Sequence, residues 1–401
     1  MIYKTIKNCG LCNSERLETY LDLGVSPLAN RLKIKIDEEE PIAPLKVIKC
    51  NDCDCFQLSE LVDPKILFST YTYQTPNGLK EHFKEYAHTV FDLLKPKQDE
   101  LMLGIGGNTG ILEKEFQNLG MCTANVEPAQ NIAFKSRENG VFTINSFFDR
   151  SVSKYFKNKA KLICSNNVFA HCDLDPIIDG IKCLLDKDGI LVIEAAYWLD
   201  TIKNSDAFQI YHEHYKYLSI KPLHKFFNAN GFNLFKVTYN KVQCGSFRAF
   251  IKWKDNKNFE IDDSVDDAIK KEEEFGLYKK ETYDEFRAKL DKIKEGLKQI
   301  LEKYRRENKK MGIYSVAAKT VLLLKYMEIA DYFEFATDDS ELKWNKFIPE
   351  TSIKILSKEE FWAQKFGVLF CGAYNFFDYI VKNNPEFKGT WVNPLPEIRI
   401  V

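Results

Sequence analysis

Short apolar runs alternating with amphipathic stretches dominate residues 99–254. Leu101-Met-Leu-Gly-Ile105 reads as a strand, followed by a glycine-rich turn and a helix over 111–119. Residues 121–126, 161–165 and 190–194 read as further strands, with a helix over 174–185 that stops at Asp188-Gly189. Strands spaced by helices at this interval predict a parallel sheet with crossover helices. Residues 233–238 and 247–253 add strands near its edge. The same alternation returns over 311–401, with strands at 312–314, 333–337 and 367–371 and helices at 317–327 and 375–382. Between the two units, Tyr283, Phe286, Leu290, Ile293, Leu297, Ile300 and Tyr304 follow three–four spacing, an apolar stripe on a long charged helix that bridges them. Thr282 with Glu285 three residues on is a capping-box signal for its start. A helical pattern also runs from about 79 to 94. Residues 1–60 carry only short strand-like runs such as Leu45-Lys-Val-Ile48.

The expected fold is therefore α/β, with a small N-terminal module, a central Rossmann-like domain and a second, C-terminal Rossmann-like unit. The expected divisions are 1–70, 71–255, a helical bridge over 256–310, and 311–401. An apolar fraction of 45% in 401 residues suits a well-cored multidomain chain. The 57 basic and 58 acidic residues nearly cancel, which disfavours a nucleic-acid partner, where phosphate contacts dominate. The N-terminus lacks a signal-peptide core and no apolar run is long enough to span a bilayer, so neither membrane association nor export is expected. A cytoplasmic setting follows as an expectation, and there paired cysteines point to metal before disulfide.

Cys9-x-x-Cys12 and Cys50-x-x-Cys53 form two knuckles. Four thiolates in this arrangement make a closed tetrahedral site for structural Zn2+, the alternative being four buried free thiols. Cys55 follows the second knuckle at a poorer spacing. Gly104-Ile-Gly106-Gly107-Asn108-Thr-Gly110 lies between a strand and a helix, where glycine lets a cofactor approach the backbone. Glu127, 21 residues after Gly106 and followed by Pro128, is placed to accept from ribose hydroxyls. A dinucleotide site would show the same acid, and packing glycines alone would show the same turn. The Asn166-Asn167 pair after the next strand, with no second nucleotide fingerprint, favours the adenosyl group of S-adenosylmethionine. Tyr211-His212-Glu213-His214 holds two of the six histidines, and an imidazole beside a carboxylate suits general-base work near neutral pH.

Together these residues resemble the bacterial S-adenosylmethionine-dependent sugar C-methyltransferases, which act on nucleotide-linked keto-sugars. The resemblance runs from the knuckles and Leu21-Asp-Leu-Gly-Val-Ser-Pro-Leu-Ala-Asn30 through Tyr71-Thr-Tyr73, His82, the glycine turn, Val126-Glu127-Pro128, Asn166-Asn167-Val-Phe-Ala-His171 and Tyr211–His214 to Tyr314-Ser-Val-Ala-Ala-Lys319. It implies deprotonation alpha to a ketone, then attack of the enolate carbon on the cofactor's methyl. His214 matches the base. Glu213 and Tyr211 are implied to orient groups around it, His171 to donate to the enolate oxygen, Tyr71 or Tyr73 to close over the site, and Tyr283 to reach in from the bridging helix. Gly104, Gly106, Asn108, Glu127, Pro128, Phe147, Asn166, Asn167 and His82 fall to the cofactor, and Lys319 and Tyr314 to the nucleotide-sugar. A monomer or homodimer is expected.

Four departures from the family pattern bear on function, one of them Lys343-Trp-Asn-Lys-Phe-Ile-Pro-Glu350 in place of a KQGKYLPG-like run. Gly104 and Thr109 stand where an E-I-G-x-N-D-G turn has its acids. Gln243-Cys244-Gly245-Ser246 replaces an HGGS-like run. Ser315 and Thr320 replace glycines of a GxGAxAKG-like turn. Other nucleotide-sugar chemistry on the same scaffold, such as O-methylation or deprotonation alone, and a catalytically silent binding protein are the competing readings.

Overall fold

The computed structural model describes residues 2–68 and 79–401. Its first layer is a small antiparallel sheet. Strands β2 (Leu17–Pro27), β3 (Ile42–Cys50) and β4 (Phe56–Leu58) pair in sequence order, beside a two-stranded ribbon of β1 (Tyr3–Thr5) and β5 (Glu60–Val62). The short helix α1 (Pro64–Phe68) and helix α2 (Lys80–Leu94) lead into the central domain.

There, β6 (Leu101–Ile105), α3 (Ile111–Asn118), β7 (Cys122–Val126), α4 (Gln130–Glu138), β8 (Phe142–Ile144), α5 (Arg150–Ser153), β9 (Ala160–Asn166), α6 (Leu174–Leu184) and β10 (Leu185–Ala196) follow in turn. After α7 (Trp198–Lys203) the chain makes β11 (Lys216–Tyr217), α8 (Ile220–Ala229), β12 (Phe232–Asn240) and β13 (Ser246–Trp253). The sheet order is β12-β13-β10-β9-β6-β7-β8. Its pairs are parallel from β10 to β8, while β13 runs antiparallel between β10 and β12. Strand order reverses between β6 and β9, and in open α/β sheets ligands bind where the carboxyl ends of such strands diverge. The glycine turn and the Asn166-Asn167 pair sit at those two ends.

Helices α9 (Ser264–Phe275) and α10 (Lys280–Arg306) precede a second sheet built from β14 (Met311–Tyr314), α11 (Ala318–Met327), β15 (Phe335–Thr337), β16 (Lys354–Leu356), α12 (Lys358–Ala363), β17 (Val368–Cys371), α13 (Phe377–Asn383), β18 (Thr390–Asn393) and β19 (Arg399–Ile400). Its order, β16-β15-β14-β17-β18-β19, again switches, between β14 and β17.

The bridge differs from its expected form in two details. Helix α10 begins at Lys280, and Thr282, inside its first turn, donates its hydroxyl to the Gly276 carbonyl instead of capping the helix with Glu285. The stripe buries Leu301 in place of Ile300, because the true helical period carries the last turns one position on. Through that stripe one apolar cluster runs from Tyr20 and Phe56 in the first sheet, through Ile163 and Ile193, to Leu297, Ile313 and Val392.

Among the described residues no helix is long and apolar enough to cross a membrane.

Candidate active site and metal centre

The knuckle sulfurs of Cys9, Cys12, Cys50 and Cys53 all lie within 4.8 Å of one another, with Cys9–Cys53 at 3.5 Å and Cys12–Cys50 at 3.6 Å. A tetrahedron of Zn–S bonds has edges of about 3.8 Å, so the four thiols fit that ion. The backbone N–H groups of Leu11 and Asp52 donate to the Cys9 and Cys50 sulfurs at 3.4 Å, which favours thiolates. Cys55 is buried beside them, and its thiol donates to the Phe56 carbonyl.

This module grips the Tyr211–His214 segment. Strand β11 extends the N-terminal sheet, pairing Lys216 with Gln57 and Tyr217 with Phe56. Gln57 Oε1 in turn accepts the N–H of Gly10, inside the first knuckle. The Leu58 N–H donates to the Tyr215 carbonyl at 2.9 Å, and buried His212 donates from Nε2 to the Ala43 carbonyl at 3.2 Å. Asn30 Nδ2 donates to Glu213 Oε1 at 3.0 Å. The other Glu213 oxygen is buried without a partner among the described residues, and burial pushes this carboxyl up to about 6.

His214 is held from its far side. Its Nδ1 lies 2.6 Å from the Gln209 carbonyl, which accepts but cannot donate, so Nδ1 carries the proton and Nε2 the lone pair. Burial first, then the neighbouring His171 and the Lys319 charge, push its pKa well below the ordinary imidazole value. His171 is fixed the same way, its Nδ1 donating to the Glu213 carbonyl at 2.6 Å, and burial lowers it to about 4. The two rings lie 4.7 Å apart, centroid to centroid, and the Tyr211 ring is 4.0 Å from His214. The result is a cluster of two neutral imidazoles beside a phenol.

The cluster adjoins the glycine turn through Val168. A Cβ on Gly106, whose φ is +62°, would lie 2.6 Å from Val168 Cγ2, and the Val168 carbonyl accepts the His171 N–H at 2.8 Å. Asn108 takes φ +51° and donates its N–H to Glu127 Oε2, while Ala129 N–H donates to Oε1. The Glu127 carboxylate thus clasps the turn, burial raising its pKa, and each oxygen retains a second lone pair. Asn145 Nδ2 binds the carbonyls of Glu127 and Pro128. Asn166 Oδ1 is buried without a partner among the described residues, and Asn167, at φ +56°, donates its N–H to the Glu194 carbonyl. An orphaned amide oxygen, a close-approach glycine and an acid at the ends of β9, β6 and β7 fit an adenosyl cofactor. His82 on α2 lies 2.7 Å from Glu194 Oε1, and that buried carboxylate also takes Arg248 and Asn240. Glu194 and Arg248 sit within near-continuous apolar strands, where no spacing marks them out in the sequence.

Tyr283 and Tyr314 pack into cores, whereas Lys319 is close enough for its charge to act on His214. Tyr283 is fully buried, its hydroxyl donating to the Leu277 carbonyl at 2.9 Å and accepting from Trp198 Nε1 at 2.8 Å, in a core with Tyr20 and Phe56. It joins layers and does not reach the imidazoles, because its stripe position on α10 faces the shared core. Tyr314, at the end of β14, packs against Phe361, Trp362 and Trp391 in the C-terminal core. Lys319 Nζ lies 3.4 Å from Asp206 Oδ2 and 4.6 Å over the Tyr374 ring, so a buried carboxylate already engages it. Phe147 is 65% exposed in the loop after β8. Tyr71 and Tyr73 lie outside the described residues.

Family profiles match the chain in order. A zinc binding domain covers residues 9–68, a methyltransferase domain 79–237, and a C-methyltransferase C-terminal domain 241–396. The chain is 25% identical over its whole length to C-methyltransferase NovU of Streptomyces niveus, 98% of which is covered. Among solved structures, a magnesium protoporphyrin IX methyltransferase from Synechocystis aligns with 45% of this chain and 89% of its own at 10% identity and a TM-score of 0.35. An S-adenosylmethionine-dependent methyltransferase from Clostridium acetobutylicum aligns with 47% and 95% at 11% identity and a TM-score of 0.36. With the three family domains in sequence and a relative matched over the whole chain, the protein is an S-adenosylmethionine-dependent methyltransferase similar to the C-methyltransferases that carry an N-terminal zinc-binding module.

Proposed function

We propose that the protein methylates a carbon alpha to the ketone of a nucleotide-linked keto-sugar, with His214 as the base. The supporting observation is the protonated Nδ1 of His214 on the Gln209 carbonyl, which leaves Nε2 with a free lone pair in a cluster of neutral rings. A sugar carbon has no lone pair, so a base must remove its proton before carbon–carbon bond formation. S-adenosylmethionine, when bound, supplies an electrophilic methyl group on a sulfonium.

On this reading Gly106, Asn108, Glu127 and Asn166 bind the cofactor's adenosine end, with Pro128 shaping the same loop and His82 bracing the floor through Glu194. His214 Nε2 takes the proton. Burial keeps His214 neutral at pH 7 so that it accepts, and it excludes water that would protonate the carbanion. The Tyr211 ring packs tilted against the base, 4.0 Å centroid to centroid. His171, neutral with its proton on Nδ1 toward the Glu213 carbonyl, turns an unprotonated Nε2 to the cluster, so on this reading it shapes the sugar side as an acceptor and is not the donor to the enolate oxygen. The zinc module orients the base segment through β11, Asn30 and Ala43. The C-terminal unit, at its β14/β17 switch point, takes the nucleotide portion. A cytoplasmic setting suits the eleven free thiols.

The test replaces His214 with Asn, whose amide preserves a donor toward Gln209. Turnover of a nucleotide-linked 4-keto-6-deoxy sugar should fall at least about 1000-fold while S-adenosylhomocysteine binding is kept. Unchanged turnover removes His214 from the mechanism. Mass spectrometry of the product separates a C-methyl group from an O-methyl ether, and an ether overturns the carbon assignment.

A further inference from the structure

The glycine turn encloses an acid that the strand itself lacks. A Cβ on Gly104 would lie 1.7 Å from Glu113 Oε1, and one on Gly107 would lie 2.0 Å from the same oxygen. The carboxylate of Glu113, from the first turn of α3, therefore fills the volume in which a side chain at 104 would sit, against both glycine α-carbons. Glu113 is 1% exposed, and its Oε2 is buried with no partner among the described residues. A buried carboxyl with an unmade hydrogen bond costs stability unless something else uses it. The site beside it binds a cofactor whose sulfonium and ammonium are cations.

We propose that Glu113 is the acidic partner of the cofactor turn, supplying from helix α3 the negative charge that holds the cationic end of S-adenosylmethionine. This rests on the assignment of the glycine turn to that cofactor. Without ligand, burial pushes the Glu113 carboxyl up to about 8, with the nearby Glu127 adding to it. The other titratable groups facing it are the Cys164 thiol on β9, paired in register with Gly104, and behind it Tyr86 on α2, both themselves raised by burial and so neutral. Arrival of a cation beside this pocket ionises Glu113, and the proton leaves to solvent. Cofactor binding and proton release are thereby coupled.

The experiment is calorimetric titration of the full chain with S-adenosylmethionine at pH 7 in two buffers of different ionisation enthalpy. The wild type should release about 0.9 proton per cofactor bound, the fraction protonated at one pH unit below a pKa of about 8. Glu113→Gln should release almost none and bind at least about tenfold more weakly. Its melting midpoint should be unchanged or higher, since the amide is isosteric and uncharged. Release below about 0.2 proton by the wild type overturns the proposal without any variant. So does a Glu113→Gln protein with wild-type affinity and release. If Glu127→Ala abolishes binding while Glu113→Gln leaves it intact, this inference alone fails. If the wild type binds no S-adenosylmethionine, the cofactor assignment fails with it.

Discussion

His171 offers a quantitative check on the imidazole cluster. Its pKa is about 4 in the fold against 6.5 for an ordinary histidine, because burial disfavours the imidazolium. A folded pKa depressed below the unfolded one means that the unfolded chain binds more protons between the two values. The associated stability is therefore fully present above pH 6.5 and is lost as the pH falls through 4. Between pH 7 and pH 5 the loss from this one residue is about 2 kcal/mol, approaching about 3 kcal/mol below pH 4. The raised carboxyls of Glu113 and Glu213 oppose it in sign, so the wild-type profile alone is not diagnostic. The comparison is with His171→Asn, whose amide nitrogen replaces Nδ1 as donor to the Glu213 carbonyl. Urea unfolding at pH 5, 6, 7 and 8 should show the wild type losing about 2 kcal/mol more than the variant over pH 7 to 5. Parallel profiles would refute the claim that His171 is held neutral by burial, and with it the picture of a cluster of neutral rings around His214.

Two further outcomes are expected. Removing zinc with a chelator should abolish methyl transfer without touching any cofactor residue, since ion binding of about 10–16 kcal/mol holds the module that carries β11 and Asn30; metal content measured beside activity checks this, and undiminished activity of metal-free protein would refute it. Tyr283→Phe should lower unfolding stability by about 1–3 kcal/mol through the unpaired Trp198 Nε1 and Leu277 carbonyl, yet leave kcat unchanged; a kcat loss at retained stability would return Tyr283 to the catalytic set.

What could be read from the sequence was local. The two Cys-x-x-Cys knuckles are legible because the bite of a metal chelate sets the spacing within each pair. The strand–glycine turn–helix unit is legible because the backbone there needs Gly106 at positive φ. The two α/β units follow from hydrophobic period. The Tyr-His-Glu-His segment stood out through its composition and through the family resemblance. Tyr283 and Tyr314 show why tyrosines are hard to place from sequence: an amphipathic ring looks alike in a core and in a site, and the structure packs both into cores. That Lys319 sits beside Asp206, distant in sequence, is likewise not legible along the chain.

Tertiary structure alone decided how these pieces meet. Nothing local to Lys216-Tyr217 says that it completes the zinc module's sheet against Gln57 and Phe56, since strand pairing across so many residues is specified by the fit of whole surfaces and not by spacing. The position of Glu113 beneath Gly104 is likewise invisible along the chain, because an acid on a helix and a gap on a strand become complementary only when α3 packs down on β6. Chelate bites, turns and periods are properties of covalent neighbours. Depressed imidazoles, a buried acid and a Tyr-His-Glu-His segment clamped by a distant metal module arise from desolvation and contact between surfaces that only folding brings together.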